Sequence, residues 1–112
     1  MTDKELLELA AKAAGFVQPH SYREKTNSLL WLSKSGFPAT WSPLTDDGDA
    51  LRLAVKLKLT VQQNEMSVYA FTHNGTTPYA ETNEVHRNEI DPYTATRRAI
   101  VRAAAEIGRG AP

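Results

Sequence analysis

Apolar residues spaced three and four positions apart predict α-helices in this chain, because that spacing puts their side chains on one helix face. The first helix ends at about Ala14, with Gly15 as its C-cap and Thr2 or Asp3 at its start. The second occupies about residues 47–58, and its apolar positions cover most of its circumference. We therefore expect the second helix to pack on more than one neighbour.

The third helix is predicted from its start signals and its small residues. Asp91 is a suitable N-cap, and Pro92 fits the first helical position, where its missing N–H costs no hydrogen bond. Gly108 is expected to end the helix. Its predicted inner face consists of Ala95, Ala99, Ile100, Ala103, Ala104 and Ile107. The alanines allow close approach to a sheet and leave a shallow surface for another subunit. With the apolar second helix, they predict a homo-oligomer.

Shorter apolar runs predict β-strands. These are residues 28–33, 60–63, 67–72 and 78–82. Asn74 and Gly75 lie between the last two runs, and this dipeptide is a strong hairpin signal because both residues tolerate positive φ. Residues 67–72 place apolar side chains on both faces of the strand, so the sheet needs cover on both sides.

The elements follow the order α-β-α-β-β-α, which predicts an α+β fold. We expect a small, mainly antiparallel β-sheet covered by helices on both sides, an α-β-α sandwich. The chain has 112 residues, which fits a single domain over residues 1–112 with a hydrophobic core of its own.

Composition excludes several kinds of site. Lysine and arginine together number 13, and so do aspartate and glutamate, so no net charge attracts nucleic acid or an acidic membrane. The chain has no cysteine, which excludes disulfides, thiolate metal ligands and cysteine nucleophiles. The N-terminus has no signal-peptide core, and no apolar run is long enough to span a bilayer. We therefore expect a cytoplasmic protein without a membrane partner.

Two segments carry a resemblance to a known family. Residues 46–57 read DDGDALRLAVKL, and residues 91–108 read DPYTATRRAIVRAAAEIG. With the spacing between them, they resemble the small bacteriophage proteins grouped as the phage ABA sandwich family. The resemblance implies a phage or prophage protein that acts in the host cytoplasm. It implies no site residue, because members of the family mostly lack an assigned function.

Clustered carboxylates invite a metal-site interpretation. Asp46, Asp47 and Asp49 stand at a predicted helix start, where carboxylates cap the helix. They lack the alternating ligands and the distant glutamate of a calcium loop, so capping is the favoured interpretation. The histidines are too scattered for a zinc motif, and the chain has neither a hydrolase nucleophile motif nor a phosphate-binding glycine loop. We therefore predict no catalytic residue, no metal and no cofactor.

The candidate binding residues are aromatic and basic. Arginines make the third helix locally basic, which suits phosphate or an acidic partner, although a solvated helix face is the simpler interpretation. Aromatic side chains suit a nucleotide base or act as anchors for a protein partner. Trp41 is either buried as a lid on the core or exposed as such an anchor. The candidates are Tyr22, Arg23, Trp41, Tyr93, Arg97, Arg98 and Arg102.

Two classes of function fit these residues. The leading hypothesis is a non-catalytic phage accessory protein that binds a host bacterial protein or complex and inhibits a defence system, as an anti-CRISPR or another anti-defence protein does. The alternative is a protein that sequesters a nucleotide signal, with aromatic side chains on the base and arginines on the phosphates. Nucleic-acid binding is a third alternative.

Overall fold

The structure is a computed structural model, and it describes residues 1–16, 20–32, 38–64, 67–72, 81–85 and 91–110. Of residues 32 and 81–85 it describes the backbone. The helices in these ranges are α1 (Asp3–Ala13), α2 (Asp47–Lys56) and α3 (Pro92–Gly110). The strands are β1 (Ser21–Arg23), β2 (Ser28–Leu32), β3 (Pro38–Trp41), β4 (Leu59–Gln63), β5 (Ser67–Thr72) and β6 (Glu81–Val85).

The strands form two antiparallel sheets, with the strand orders β1-β2-β3 and β4-β5-β6. In the first sheet, Leu29 on β2 pairs with Tyr22 on one side and with Trp41 on the other. The central strands β2 and β5 carry fully buried side chains, Leu29 on the first and Val68 and Ala70 on the second. Successive side chains of a strand point to opposite faces, so alternate residues such as Val68 and Ala70 point into the core.

Side chains near the N-termini of α1 and α2 cap these helices. The Thr2 hydroxyl accepts a hydrogen bond from the backbone N–H of Glu5, and the Glu5 carboxylate accepts one from the backbone N–H of Thr2. This reciprocal pair is a capping box. At α2, the Asp46 carboxylate accepts a hydrogen bond from the backbone N–H of Asp49 at 2.8 Å. The predicted caps Thr2 and Asp46 are thereby confirmed.

Helix α3 is the element on which the others pack. It runs along α1, contacts all three strands of the second sheet and also contacts α2, while α1 reaches β2 of the first sheet. The α1–α3 pair therefore links the two sheets. Small residues permit this close packing. The buried residues of α3 are Ala95, Ala99, Ile100, Val101, Ala103, Ala104, Ala105 and Gly108.

This burial corrects one expectation from the sequence. The alanines of α3 leave no shallow surface for another subunit, because Ala99 and Ala103 have no exposed surface within the single chain. Helix α2 does pack on two neighbours, α3 and β4. Leu51 and Val55 nevertheless remain exposed on it. Any self-association therefore has apolar surface available on α2 and not on the alanine face of α3.

The structure confirms the α+β class, the antiparallel strands and the packing of helices on the sheet. The observed order is α-β-β-β-α-β-β-β-α, and the strands divide between two sheets, whereas one sheet is predicted. The short polar strand β1 has no apolar alternation to reveal it. β3 begins at Pro38, which reads as a strand stop but is tolerated at the first position of an edge strand.

The predicted hairpin turn at Asn74 and Gly75 lies outside the described residues. The predicted returning strand, residues 78–82, overlaps the start of β6 (Glu81–Val85). The weak alternation of the polar residues in the returning strand does not fix its bounds.

Candidate functional site

Arg97, one of the predicted phosphate ligands, joins α3 to the start of α2. Its Nε donates a hydrogen bond to the backbone carbonyl of Leu44 at 2.9 Å. Its Nη1 lies 2.5 Å from the Asp47 carboxylate, and its Nη2 donates to the Thr94 hydroxyl at 3.1 Å. The side chain is only 16% exposed. Each nitrogen of this guanidinium thus already has a partner within the chain, and a phosphate would have to displace one.

Arg98 belongs to a polar network that joins three parts of the fold, which we call the Asp3 network (Tyr22, Asn27, Asp3 and Arg98). Arg98 Nη2 donates to Asp3 Oδ1 at 3.2 Å, and Asn27 Nδ2 donates to Asp3 Oδ2 at 2.9 Å. The Tyr22 hydroxyl donates to Asn27 Oδ1 at 2.8 Å. Asn27 has φ of 49°, a left-handed conformation that asparagine tolerates. The Asp3 network therefore fastens α3 and the β1–β2 turn to the start of α1.

The charge of Asp3 is favoured by this setting. Partial burial raises the pKa of the carboxyl, but the hydrogen bonds from Arg98 and Asn27 and the charge of Arg98 outweigh burial and lower the pKa below its ordinary value of 3.8. Asp3 also lies in the first turn of α1, where a negative charge complements the helix dipole. Two candidate binding residues, Tyr22 and Arg98, are therefore parts of one structural network around an ionised carboxylate.

The acidic cluster at the start of α2 has structural partners. Asp49 Oδ2 accepts a hydrogen bond from the backbone N–H of Ser42 at 2.9 Å, and its Oδ1 accepts one from Arg52 Nη2 at 2.7 Å. The hydrogen bond to Asp49 is the main reason that the pKa of Arg52 is raised. Asp46 caps the helix, and Asp47 pairs with Arg97. Within the described ranges, no group of three carboxylate or histidine side chains is placed to hold a metal ion.

Trp41 is part of the core. Its side chain is 6% exposed, and its ring meets the ring of Phe16 edge-on, with centroids 5.1 Å apart and an angle of 83° between the planes. Trp31 contacts the same Phe16 ring at 5.2 Å. Of the two alternatives for Trp41, the lid on the core is therefore correct and the exposed anchor is wrong. The Pro-bounded segment that suggested a surface crossing is β3, whose last residue points inward.

The remaining candidates are exposed. Arg23 lies at the end of β1, and Arg102 lies on the solvent side of α3. Tyr93, in the first turn of α3, is 70% exposed. Tyr93 and Arg102 are nine positions apart on α3, and Arg23 belongs to a different element, β1. Tyr93 is the exposed aromatic side chain among the predicted binding residues.

Two exposed apolar residues were not predicted as site residues. Leu51 and Val55 are 64% and 68% exposed and lie one turn apart on α2. Asp47 precedes Leu51 by one turn, and Asp47 is joined to Arg97, which follows Tyr93 by one turn of α3. Tyr93 and Leu51 therefore each stand one helical turn from the Arg97–Asp47 pair. The sequence contained a signal for this exposed apolar surface. The second helix is apolar around most of its circumference, and a small domain cannot bury all sides of such a helix.

Comparisons with protein-family models, with curated proteins and with solved structures found no significant match to this chain. Across the residues that the structure describes, no helix combines the length and the apolar character needed to cross a membrane.

Proposed function

We propose that this chain is a small, non-catalytic phage or prophage accessory protein that binds a host bacterial protein and so inhibits a defence system. The resemblance of residues 46–57 and 91–108 to the phage ABA sandwich family supports the phage setting. The observation that carries the binding mode is the exposed ring of Tyr93 beside the fixed α2–α3 junction. We propose that Tyr93 is the anchor for the host protein.

The first turn of α3 holds Tyr93 in a defined position. The Asp91 carboxylate accepts hydrogen bonds from the backbone N–H of Thr94 at 2.9 Å and from its hydroxyl at 2.8 Å. The hydrogen bond from the backbone N–H of Thr94 contributes most, and the one from its hydroxyl adds to it. Together they lower the pKa of Asp91, which favours the ionised form of this cap. Arg97 then ties the same turn to α2. An aromatic side chain on a fixed backbone loses little entropy on binding, which is why tyrosine is frequent among residues that dominate interface energies.

The contacts of the arginines count against the alternative of nucleotide sequestration. A nucleotide needs arginine donors for its phosphates, but Arg97 and Arg98 donate to Asp47 and Asp3. A phosphate would have to displace these carboxylates from guanidinium groups whose side chains are only 16% and 31% exposed. A protein partner that contacts Tyr93 requires no such exchange.

Capture from a host lysate tests this proposal. We expect the wild-type chain to retain one specific host protein and the variant Tyr93→Ala to lose it, with affinity reduced at least about 30-fold, because truncating an interface anchor costs about 2 kcal/mol or more. The readout is identification of the retained protein by mass spectrometry, followed by calorimetric titration with the purified partner.

Arg23→Ala is the matched control, since Arg23 is an exposed candidate on a different element, β1. It should retain the same host protein with unchanged affinity, and circular dichroism should show both variants folded. Identical retention by wild type and Tyr93→Ala would contradict the assignment of Tyr93. Failure of the wild-type chain to retain any host protein would contradict the proposed function itself.

A further inference from the structure

The sheet edges of this chain differ in how well they are protected from pairing with another strand. Among the described strands, β1 is only three residues long and ends in the charged Arg23. β3 begins with Pro38, which has no backbone N–H to donate, and the sequence of β6 includes Glu81 and Glu84. Short strands, proline and charge are features that keep edge strands from pairing. β4 (Leu59–Gln63) also lies at an edge, and its five residues include neither a charge nor a proline.

Contacts within the chain hold β4 in place. β5 pairs with all five of its residues, and the backbone N–H of Asn64 donates to the carbonyl of Ser67 at 2.8 Å in the turn between the two strands. Gln63 Nε2 donates to the Thr96 hydroxyl at 3.0 Å, which ties the end of β4 to α3. In an antiparallel pair, alternate residues direct their N–H and C=O groups away from the neighbouring strand. Within the described ranges no strand pairs with β4 on that side, so the edge offers backbone donors and acceptors at fixed positions.

We propose that β4 pairs with β4 of a second copy of this chain, antiparallel and about a two-fold axis that passes beside Val61. Two three-stranded sheets then join into one continuous sheet. In this register Val61 lies opposite Val61 of the second copy, Thr60 lies opposite Gln62, and Leu59 lies opposite Gln63. Each copy supplies the extended backbone that the edge of the other requires, so the closed dimer leaves neither β4 edge exposed.

The side chains of β4 fit this self-pairing on both faces of the sheet. Leu59 and Val61 pack against the core, so the two Val61 side chains extend the apolar face across the axis. Thr60 and Gln62 point to the opposite face, where a hydroxyl and an amide lie opposite each other and form a hydrogen bond. Pairing of identical strands also brings identical charges together, and β4 has none to repel. This fit across the axis is what identifies a second copy as the occupant.

Sedimentation velocity of the full chain, from about 1 µM to about 500 µM, tests the dimer. We expect the wild type to shift reversibly from monomer to dimer within this range. The result does not depend on the proposed host partner, because β4 contains none of the candidate binding residues. A wild-type monomer at every concentration overturns the proposal.

Two double variants test whether Thr60 and Gln62 lie opposite each other. Thr60→Glu with Gln62→Glu places carboxylates opposite each other on both sides of the axis and should weaken dimerisation at least about tenfold. Thr60→Lys with Gln62→Glu changes the same positions but places opposite charges there, so it should dimerise at least as tightly as the wild type. Thermal unfolding should show both variants folded, since these side chains point away from the core. Equal dimerisation of the two double variants also overturns the proposal.

Cross-linking tests the centre of the register, because the natural chain has no cysteine. Residues directly opposite in an antiparallel pair have Cα atoms about 5 Å apart, which is within the range of a disulfide. Val61→Cys should therefore form a disulfide-linked dimer on mild oxidation. Gln63→Cys is the matched control on the same strand. Its two copies are about 14 Å apart in this register, so it should stay unlinked. Equal cross-linking of both variants, or none of Val61→Cys, contradicts pairing centred on Val61.

Discussion

Replacing Gly108 by alanine is expected to lower the free energy of unfolding by about 3 kcal/mol or more, at the upper end of the cost of overpacking. Gly108 lies where α3 crosses α1. A Cβ atom built on Gly108 would overlap the carbonyl oxygen of Leu9 and would lie 2.8 Å from its carbonyl carbon. These are backbone atoms, so no side-chain rotation relieves the overlap and one helix must move. Urea unfolding followed by circular dichroism measures the loss.

Gly110 provides the matched control, two residues further along the same helix. A Cβ atom built on Gly110 meets nothing within 4 Å. Alanine has the higher helix propensity, so Gly110→Ala should leave stability unchanged or raise it by less than about 1 kcal/mol. Equal stability of the Gly108→Ala variant and the wild type would mean that α1 and α3 do not cross in the observed way.

Truncating Trp41 to alanine is expected to cost about 3 to 5 kcal/mol, the range found for large aromatic side chains removed from protein cores. The indole is buried against Phe16 and stands on an edge strand that is held by β2. Its removal leaves a cavity and deletes an edge-to-face aromatic contact. Equilibrium unfolding in urea measures this loss.

Tyr93→Ala is the comparison for Trp41→Ala, since Tyr93 is an aromatic side chain that is mostly exposed. We expect it to change the free energy of unfolding by less than about 0.5 kcal/mol. If Trp41→Ala were equally mild, Trp41 would not be a core residue. The contrast between these two aromatics separates a structural role from a binding role.

Periodicity and capping signals predict the three helices, but the prediction that Gly108 ends the third is wrong, because α3 continues to Gly110. Helix α1 ends at Ala13, one residue from its predicted end, because its apolar spacing and Thr2 cap agree. Strand β5 spans the predicted residues, since its apolar run is short and continuous. β1 and β3 escape prediction because a partner strand, and not their own composition, makes them strands.

The roles of the arginines depend on contacts that sequence spacing does not contain. Arg97 and Asp47 are 50 positions apart, and Arg98 and Asp3 are 95 positions apart. Only the packing of α3 against α2 and α1 brings each pair together. From the sequence alone, the arginines of α3 therefore resemble a phosphate-binding site. In the structure, two of them, Arg97 and Arg98, form ion pairs that stabilise the fold.

Arg97 and Arg98 hold the helices together, and we propose that binding depends on exposed side chains elsewhere. The thermal unfolding midpoint tests it, measured for the wild type, Arg97→Met and Arg98→Met with and without a cyclic dinucleotide. We expect each substitution to lower the midpoint, since partly buried charged hydrogen bonds contribute about 1 to 3 kcal/mol, and the nucleotide to leave the wild-type midpoint unchanged. Unchanged midpoints in both variants, together with a saturable rise of the wild-type midpoint on adding nucleotide, would contradict the claim.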